Sequence, residues 1–174
     1  MPTPVEIRPV HADEHADVAE LTARVYLDEG WSDEEYATVL RDVQGRAAAA
    51  HVLVALVAGE VVGAVTVATR RGPLAELGGP GDAVVRMLAV SPSARGAGVG
   101  EGLVRACLDL ARRDGCTRVL LSTQPEMRAA HRVYARLGFV RAAEHDWRPV
   151  PDLLLLGYAL ELGPGPVPEL RDSS

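Results

Sequence analysis

The chain has 174 residues, of which 48% are hydrophobic and only 4% aromatic, so we expect a single domain with an aliphatic core. Its formal net charge of −6 at pH 7 argues against a nucleic-acid partner, because phosphate binding needs a basic surface. No apolar run reaches the roughly 18 residues of a membrane span, and the N-terminus lacks a signal-peptide pattern. We therefore expect a cytoplasmic protein without a membrane partner.

The first half of the chain predicts a strand, two helices and a hairpin. "VEIRPV" (5–10) reads as a strand, and a helical pattern of apolar residues follows until Gly30. "SDEEYATVLRDVQGR" predicts a second helix with Ser32 as its N-cap and Glu35 three residues later, a capping box. Two valine-rich runs around "AGE" then predict a β-hairpin over 50–69.

The second half predicts strands that alternate with helices. A strand over 83–90 leads into a glycine-rich loop and a helix that ends near Asp114. "TRVLLSTQ", "FVRAAEHDW" and "LLLLGYALEL" predict further strands, and "PEMRAAHRVYARLG" predicts a helix before Gly138. The order β-α-α-β-β-β-α-β-α-β-β indicates one α/β domain over 1–162 around a mixed sheet. The Pro/Gly-rich tail over 163–174 is expected to be loose.

Cysteine and histidine usage predicts no metal site. Cys107 falls on the apolar side of a helical pattern and is expected in the core, whereas Cys116 falls in a turn. The five histidines are scattered, and no cysteine–histidine cluster has zinc spacing. All 18 basic residues are arginine, which together with much alanine, valine and glycine is typical of a GC-rich genome, and we expect a bacterial source.

The stretch "SPSARGAGVGEG" (91–102) predicts an anion site. Its helix has no Ser, Thr, Asp or Asn cap, and each glycine inside a helix costs about 1 kcal/mol relative to alanine. Free amides in a hollow without side chains, next to Arg95, suit a phosphate or pyrophosphate. A P-loop is excluded because the chain has no lysine, and the dinucleotide fingerprint fits poorly because its third glycine position is Glu101.

"RGAGVG" (95–100) resembles the (Q/R)-x-x-G-x-(G/A) motif of the GNAT superfamily of N-acetyltransferases. "RMLAVSP" just before it and "AAHRVYARLGF" (129–139) after it are similar to that family's acyl-CoA core. The resemblance implies the GNAT fold, with about seven strands and about four helices and with strands 83–90 and 118–123 splayed to take pantetheine. It also implies that acetyl-CoA is the cosubstrate, held by Leu88, Ala89, Val90, Arg95, Gly96, Ala97, Gly98, Val99, Gly100 and Glu101.

The same resemblance implies catalytic roles. Tyr134, in Y-x-x-L-G-F, would offer a proton or hydrogen bond to the CoA thiolate, although its helical spacing also fits a core residue. A backbone N–H of residues 88–90 would meet the developing oxyanion. Members with a strand glutamate carry it where this chain has Val84, so Asp82 is the nearest carboxylate for a general base, with a turn aspartate as the alternative. Met127 stands where many members have asparagine.

The acceptor site of the family lies between the first two helices and the last hairpin, which implies segments 26–36 and 144–152 here. Trp31, Glu29 and Trp147 are therefore expected to bind the substrate. Acidic side chains beside aromatic rings suit a cationic amine, although acids at the start of a helix explain the same charges.

The resemblance and these residues predict an N-acetyltransferase, which would move the acetyl group of acetyl-CoA to a primary amine by direct attack in a ternary complex. A catalytically inactive acyl-CoA-binding sensor or regulatory domain is the alternative, and a dinucleotide oxidoreductase is a distant third. The amine, the length of the acyl group and the oligomeric state stay open, with a homodimer as one option.

Overall fold

A computed structural model describes residues 3–163 of the chain. The N-terminal half contains β1 (Val5–Pro9), α1 (His15–Asp28), α2 (Glu34–Arg41), α3 (Val43–Ala49), β2 (His51–Val57) and β3 (Glu60–Ala68). The C-terminal half contains β4 (Asp82–Val90), α4 (Val99–Arg113), β5 (Arg118–Thr123), α5 (Arg128–Arg136), β6 (Val140–Arg141), β7 (Trp147–Val150) and β8 (Leu153–Glu161). Apart from Gly163, the expected loose tail lies outside the described residues.

The strands form one mixed sheet in the order β1-β2-β3-β4-β5-β8-β6, with β7 paired to β8. The β4–β5 pair is parallel and every other pair in the described range is antiparallel. The predicted α/β fold is confirmed. Within residues 3–163 there are eight strands and five α-helices rather than about seven and four, because two predicted elements are each divided.

Asp42 divides the predicted second helix. Its backbone leaves the helical region (φ −80°, ψ 68°), and its carboxylate accepts a hydrogen bond from the Gly45 amide at 3.0 Å, which starts α3. The predicted N-cap Ser32 is also wrong, because the Asp33 carboxylate accepts from the Tyr36 amide at 2.8 Å and caps α2. A negative charge at that position also complements the helix dipole.

The helices cover both faces of the sheet. Along β2, Leu53 and Ala55 face the core under α4 and α5, whereas Val52 and Val54 face α1 and α3. Cys107 of α4 is fully buried in the first core, as predicted, and burial raises the pKa of its thiol to about 12. No helix in the described part of the chain combines the length and the apolar character needed to cross a membrane.

Close packing of α4 on the sheet explains one of the four glycines of the motif. A Cβ added at Gly102 would lie 2.9 Å from Ile7 Cδ1 of β1. On β3, a Cβ at Gly63 would lie 3.0 Å from Leu103 Cδ1 of α4. These two glycines let the helix and the strands approach, and this approach places the N-terminus of α4 beside the end of β4.

Candidate functional site

Strands β4 and β5 separate at the middle of the sheet. They pair in parallel over residues 82–85 and 118–121, and their pairing ends there. On its other edge β4 carries a bulge between Arg86 and Ala89, and Met87 has a positive φ of 57°. Residues 86–90 therefore present backbone groups to a gap, and a cleft of about 1280 Å³ opens at this point.

The glycine loop (residues 95–101) forms one end of this cleft. Gly96 and Gly98 have φ values of 82° and 77°, a left-handed conformation that favours glycine, and no side chain caps α4. A Cβ on either glycine would meet nothing within 4 Å, and one on Gly100 would first meet Val90 Cγ2 at 3.6 Å.

The amides of the glycine loop are available to a ligand. Within residues 3–163, no backbone or side-chain oxygen accepts a hydrogen bond from the amides of residues 96–101. The positive end of the α4 dipole lies behind them. An open hollow lined by free amides fits a pyrophosphate, as the sequence analysis predicted for this loop.

Arg95 and Glu29 form an ion pair across the cleft. The Arg95 Nη1 and Glu29 Oε1 atoms are 2.7 Å apart, which joins the glycine loop to the residue that follows α1. The two side chains are 44% and 35% exposed, so the pair is worth at most about 1 kcal/mol. The structure thus brings together one residue predicted to bind the cofactor and one predicted to bind the acceptor.

Tyr134 of α5 belongs both to the core and to the cleft. The residue is 5% exposed and its ring lies 5.6 Å from the Phe139 ring, yet it also lines the cleft. Its hydroxyl has no hydrogen-bond partner in the described part of the chain. Burial raises its pKa, so the phenol stays protonated at neutral pH and can donate a hydrogen bond. Met127, at the start of α5, also lines the cleft.

Asp82, the predicted general base, is held by hydrogen bonds from Arg118 and Gly79. Its carboxylate accepts hydrogen bonds from Arg118 Nε at 2.9 Å, Arg118 Nη2 at 2.8 Å and the Gly79 amide at 2.8 Å. The hydrogen bonds from Arg118 hold the pKa of Asp82 below its usual value. Asp82 does not line the cleft, whereas Val84, two residues later, does. The geometry therefore gives Asp82 a structural ion pair that links β4 to β5.

An aromatic wall (Tyr26, Trp31, Tyr36 and Trp147) also lines the cleft. Two polar side chains at the splayed end of β5 hold this wall. Gln124 Nε2 donates to the Trp31 carbonyl at 2.9 Å, and Trp147 Nε1 donates to Ser122 Oγ at 3.3 Å. The Tyr26 and Trp31 rings meet edge to face, with centroids 5.7 Å apart. Both predicted tryptophans thus lie in the cleft, each fixed to β5.

Arg86, Ser122 and Gln124 are among the cleft residues that were not predicted from the sequence, whereas Tyr26 was predicted only as the first residue of the segment 26–36. The signal for Arg86 was present, because it is the one charged residue in the strand "AVVRMLAV". Ser122 and Gln124 carried no local signal, since their partners lie far away in the chain. Tyr26 was read as part of an apolar helical stripe, and burial raises the pKa of its phenol.

One group of possible metal ligands occurs in the described residues, and it lies outside the cleft. His11, Asp13 and Glu14 bring a ligand atom each within 4.8 Å of one another just before α1. The Glu14 carboxylate already accepts two hydrogen bonds from Arg8 at 2.8 Å and one from the His11 amide. We infer no ion site from this group, and the absence of a metal stays a prediction.

Comparison with known proteins points to one family. The family model described as "Acetyltransferase (GNAT) family" matches residues 15–139. Among solved structures, a GNAT-family acetyltransferase from Staphylococcus aureus aligns with a TM-score of 0.74 at 14% identity, over 91% of this chain and 99% of that one. A GNAT-family acetyltransferase from Brucella melitensis in complex with acetyl-CoA aligns with a TM-score of 0.67 at 20% identity, over 95% and 92% of the two chains.

A curated sequence relative matches a shorter segment. N-alpha-acetyltransferase 30 of Saccharomyces cerevisiae is 37% identical over 57 residues, which is 33% of this chain. The aligned segment spans 32% of that relative, so the chain matches about a third of its length. This similarity is therefore local, whereas the structural similarity extends over nearly the whole chain.

Proposed function

Because the chain belongs to the acetyltransferase (GNAT) family, we propose that it transfers the acetyl group of acetyl-CoA to a primary amine, which attacks directly while both substrates are bound. One observation carries this proposal: a single cleft of about 1280 Å³ joins the glycine loop, the free edge of β4, Tyr134 and the aromatic wall. Both substrates can therefore reach one another without an intermediate attached to the protein.

Acetyl-CoA would supply the acetyl group as a thioester. The amides of residues 95–101 would bind its pyrophosphate, and the free backbone groups of residues 88–90 would bind pantetheine. Open space at Gly96 and Gly98 supports this assignment, as does the lack of a hydrogen-bond acceptor for the amides of residues 96–101 in the described part of the chain. The end of β4–β5 pairing at Val85 supports the second part.

Tyr134 would donate a hydrogen bond to the sulfur as negative charge develops there. A free phenol has a pKa near 10 and a free thiol has a pKa near 8.5. Full proton transfer from the phenol to the CoA thiolate is therefore uphill by about 2 kcal/mol. Burial raises the pKa of Tyr134 further, which makes the transfer harder but keeps the donor protonated. A hydrogen bond that strengthens in the transition state is therefore the proposed role, with a backbone N–H of residues 88–90 at the oxyanion.

The position of Asp82 favours a reaction without a dedicated base on β4. Its carboxylate is held by Arg118 and the Gly79 amide and would have to act from outside the cleft. An amine that enters partly neutral needs no such base. The same observation favours the second candidate, an acyl-CoA-binding sensor, because a sensor needs the glycine loop and no proton acceptor.

Equilibrium binding and turnover separate the two candidates. Acetyl-CoA and CoA, but not NAD, should stabilise the protein against heat, by about 2.7 kcal/mol at a ligand concentration of 100 times Kd. A panel of amines should then release free thiol from acetyl-CoA. Binding without thiol release from any amine would favour the sensor, and an unchanged melting temperature in saturating CoA would contradict both. The cytoplasmic location, bacterial source and homodimer stay predictions.

A further inference from the structure

Arg86 is a charged residue in the wall of the cleft with no acidic partner. It lies on β4 directly before the bulge at Met87, is half-buried and lines the cleft. No carboxylate of residues 3–163 lies within 4.0 Å of its guanidinium nitrogens. A partly buried cation without a counter-ion is costly, and an oxyanion of a ligand would supply the missing partner.

Two of the other three cleft arginines already have acidic partners, and the third, Arg128, is exposed rather than half-buried. Arg95 is paired with Glu29, and Arg136 with Glu101 at 3.7 Å. Among the cleft carboxylates, Asp146 is held by Arg141 at 2.7 Å. The remaining ones, Asp33, Glu76, Glu126 and Glu144, are exposed, and none forms an ion pair with Arg86.

Arg46, a buried cation, adds to the positive charge near the half-buried Arg86. Arg46 of α3 is 5% exposed and donates to the carbonyls of Val39 and Leu40 at 3.1 Å and 2.8 Å, so it caps the end of α2 without a carboxylate partner. The Arg46 and Arg86 charges both act on the buried Tyr26 phenol, where they oppose the rise in its pKa. This corner of the cleft therefore favours an anion.

Arg86 also lies close to the proposed reaction centre. It is separated by one residue from Leu88, the first of the backbone groups expected to meet the acetyl thioester. Even in an extended strand two residues span at most roughly 6–7 Å, and the bulge at Met87 can only bring the backbones of Arg86 and Leu88 closer. A group bound by Arg86 and an amine at the thioester would thus belong to one small molecule, only a few bonds apart.

We propose, resting on the proposed acetyltransferase function, that Arg86 binds an acid group of the acceptor, so that the acceptor is a small amine with a carboxylate or phosphate a few bonds from its nitrogen. The planar guanidinium forms two parallel hydrogen bonds to either oxyanion. The aromatic wall then covers the rest of the acceptor. A protein N-terminus or a plain polyamine lacks the acid group at this position.

Matched amines test this assignment. Thiol release is measured for an α-amino acid against its carboxamide, and for 2-aminoethyl phosphate against ethanolamine. The acid-bearing member of at least one pair should have a kcat/KM about 10- to 100-fold higher. The two pairs tell carboxylate from phosphate. Equal rates within both pairs, or a preference for the uncharged members, would overturn the proposal.

Variants of Arg86 give the second test. Arg86→Gln should raise KM for the acid-bearing amine about 10- to 100-fold and leave the uncharged amine and the acetyl-CoA Kd within about twofold. Arg86→Lys should recover part of the loss. Arg128→Gln, which changes another cleft arginine, should leave the acid preference intact. An equal loss for both members of a pair would show that Arg86 only supports the fold.

A binding measurement keeps this assignment separate from catalysis. Calorimetry with the CoA-saturated protein should detect the acid-bearing amine in the wild type and about tenfold or more weaker binding in Arg86→Gln. If binding depends on Arg86 in this way but no amine releases thiol, the result would contradict the proposed acetyltransferase activity and support the anion site. Binding that is unaffected by Arg86→Gln would overturn the anion site even if acetyl transfer occurs.

Discussion

The two halves of the cleft are built from different parts of the chain. The cofactor half is one continuous segment, residues 87–101, and it presents main-chain groups around open glycines. The acceptor half uses side chains from α1, the loop after it, α2 and β7, and two polar side chains at the end of β5 hydrogen-bond to Trp31 and Trp147. One half therefore depends on local backbone conformation, whereas the other depends on contacts between distant segments.

This difference predicts how each half responds to substitution. A side chain added at Gly100 should block binding without disturbing the fold, because Gly100 does not have the positive φ of Gly96 and Gly98, and a Cβ there would first meet Val90 Cγ2 at an ordinary contact distance of 3.6 Å. Loss of a polar side chain on β5 should weaken acceptor binding without affecting CoA. Tyr134 lies where the halves meet, so its hydroxyl should affect the rate more than the binding of either substrate.

Tyr134→Phe should give the largest effect, a decrease in kcat of about 10²–10⁴-fold with little change in the acetyl-CoA Kd. The ring and its packing against Phe139 remain. Because the pKa of Tyr134 is raised above 10, the donor stays protonated, and kcat should show no decrease from its ionisation between roughly pH 7 and 9. Tyr158→Phe, on a ring 6.5 Å away, is the control in kinetics and calorimetry. A decrease below tenfold would mean that Tyr134 only packs.

Gly100→Asp should weaken CoA binding about 100-fold or more while the free protein keeps or gains thermal stability. Two like charges 4 Å apart repel by roughly 4 kcal/mol at an effective dielectric constant of 20, whereas an acid in the first turn of a helix is favourable. Calorimetry gives the Kd and a thermal melt gives the stability. Gly100→Ala is the matched neutral control. Normal CoA affinity in the folded Gly100→Asp variant would contradict the proposal that this loop binds the pyrophosphate.

Asp82→Asn should destabilise the protein by about 2 kcal/mol at pH 7, because it leaves the partly exposed Arg118 without its ion pair. The folded-state pKa of Asp82 is lowered, so this stability is present above the unfolded pKa near 4 and is lost as the pH falls further. Urea unfolding of both proteins from about pH 7 to pH 3 should show the difference shrink. A large loss of kcat in the folded variant would instead indicate that Asp82 acts as the general base.

Gln124→Leu should raise the acceptor KM about tenfold, because a lost hydrogen bond to the Trp31 carbonyl costs about 1–1.5 kcal/mol. The acetyl-CoA Kd should stay within about twofold, since the bond lies in the acceptor half. Gln44→Leu, on an exposed face of α3, is the control. Equal changes in the acceptor KM and in the acetyl-CoA Kd would show that the acceptor half and the cofactor half of the cleft do not act independently.

Glu29→Gln should give the smallest effect, an increase in CoA affinity of about two- to fivefold. Glu29 competes with the pyrophosphate for Arg95, and an exposed ion pair contributes at most about 1 kcal/mol. The gain should fade at high ionic strength, which screens the pair. Reduced CoA affinity would mean that Glu29 orients Arg95 toward the ligand rather than holding it away.

The parts of the fold that could be predicted are those with a local cause. The hairpin follows from two valine-rich runs around Ala58 and Gly59, and the glycine loop follows from positive φ values that glycine alone adopts readily. The break between α2 and α3 at Asp42 could not be predicted, because the helical pattern of apolar residues continues on both sides of Asp42. The cap at Asp33 rather than Ser32 was a choice between two good capping residues.

The acceptor half was predicted only as two segments, for a physical reason. Gln124 and Trp31 are 93 residues apart, and Trp147 and Ser122 are 25 apart, so no short pattern records either contact. The Asp82–Arg118 pair is likewise set by the register of two parallel strands. Tyr134 was identified from a family motif.

The bulge at Met87 shifts by one residue the pattern in which the side chains of β4 alternate between the two faces of the sheet. Ala83 and Val85 face the core under α4, and after the extra residue Leu88 and Val90 face that same core, an odd rather than an even step along the strand. A deletion of Met87 would restore regular alternation and keep Leu88 and Val90 on the core face, while it removes the extra residue that presents the backbone of residues 86–90 to the gap. Such a deletion should therefore preserve the core packing and the pairing of β4 with β3, yet remove the ligand-facing backbone that the bulge creates.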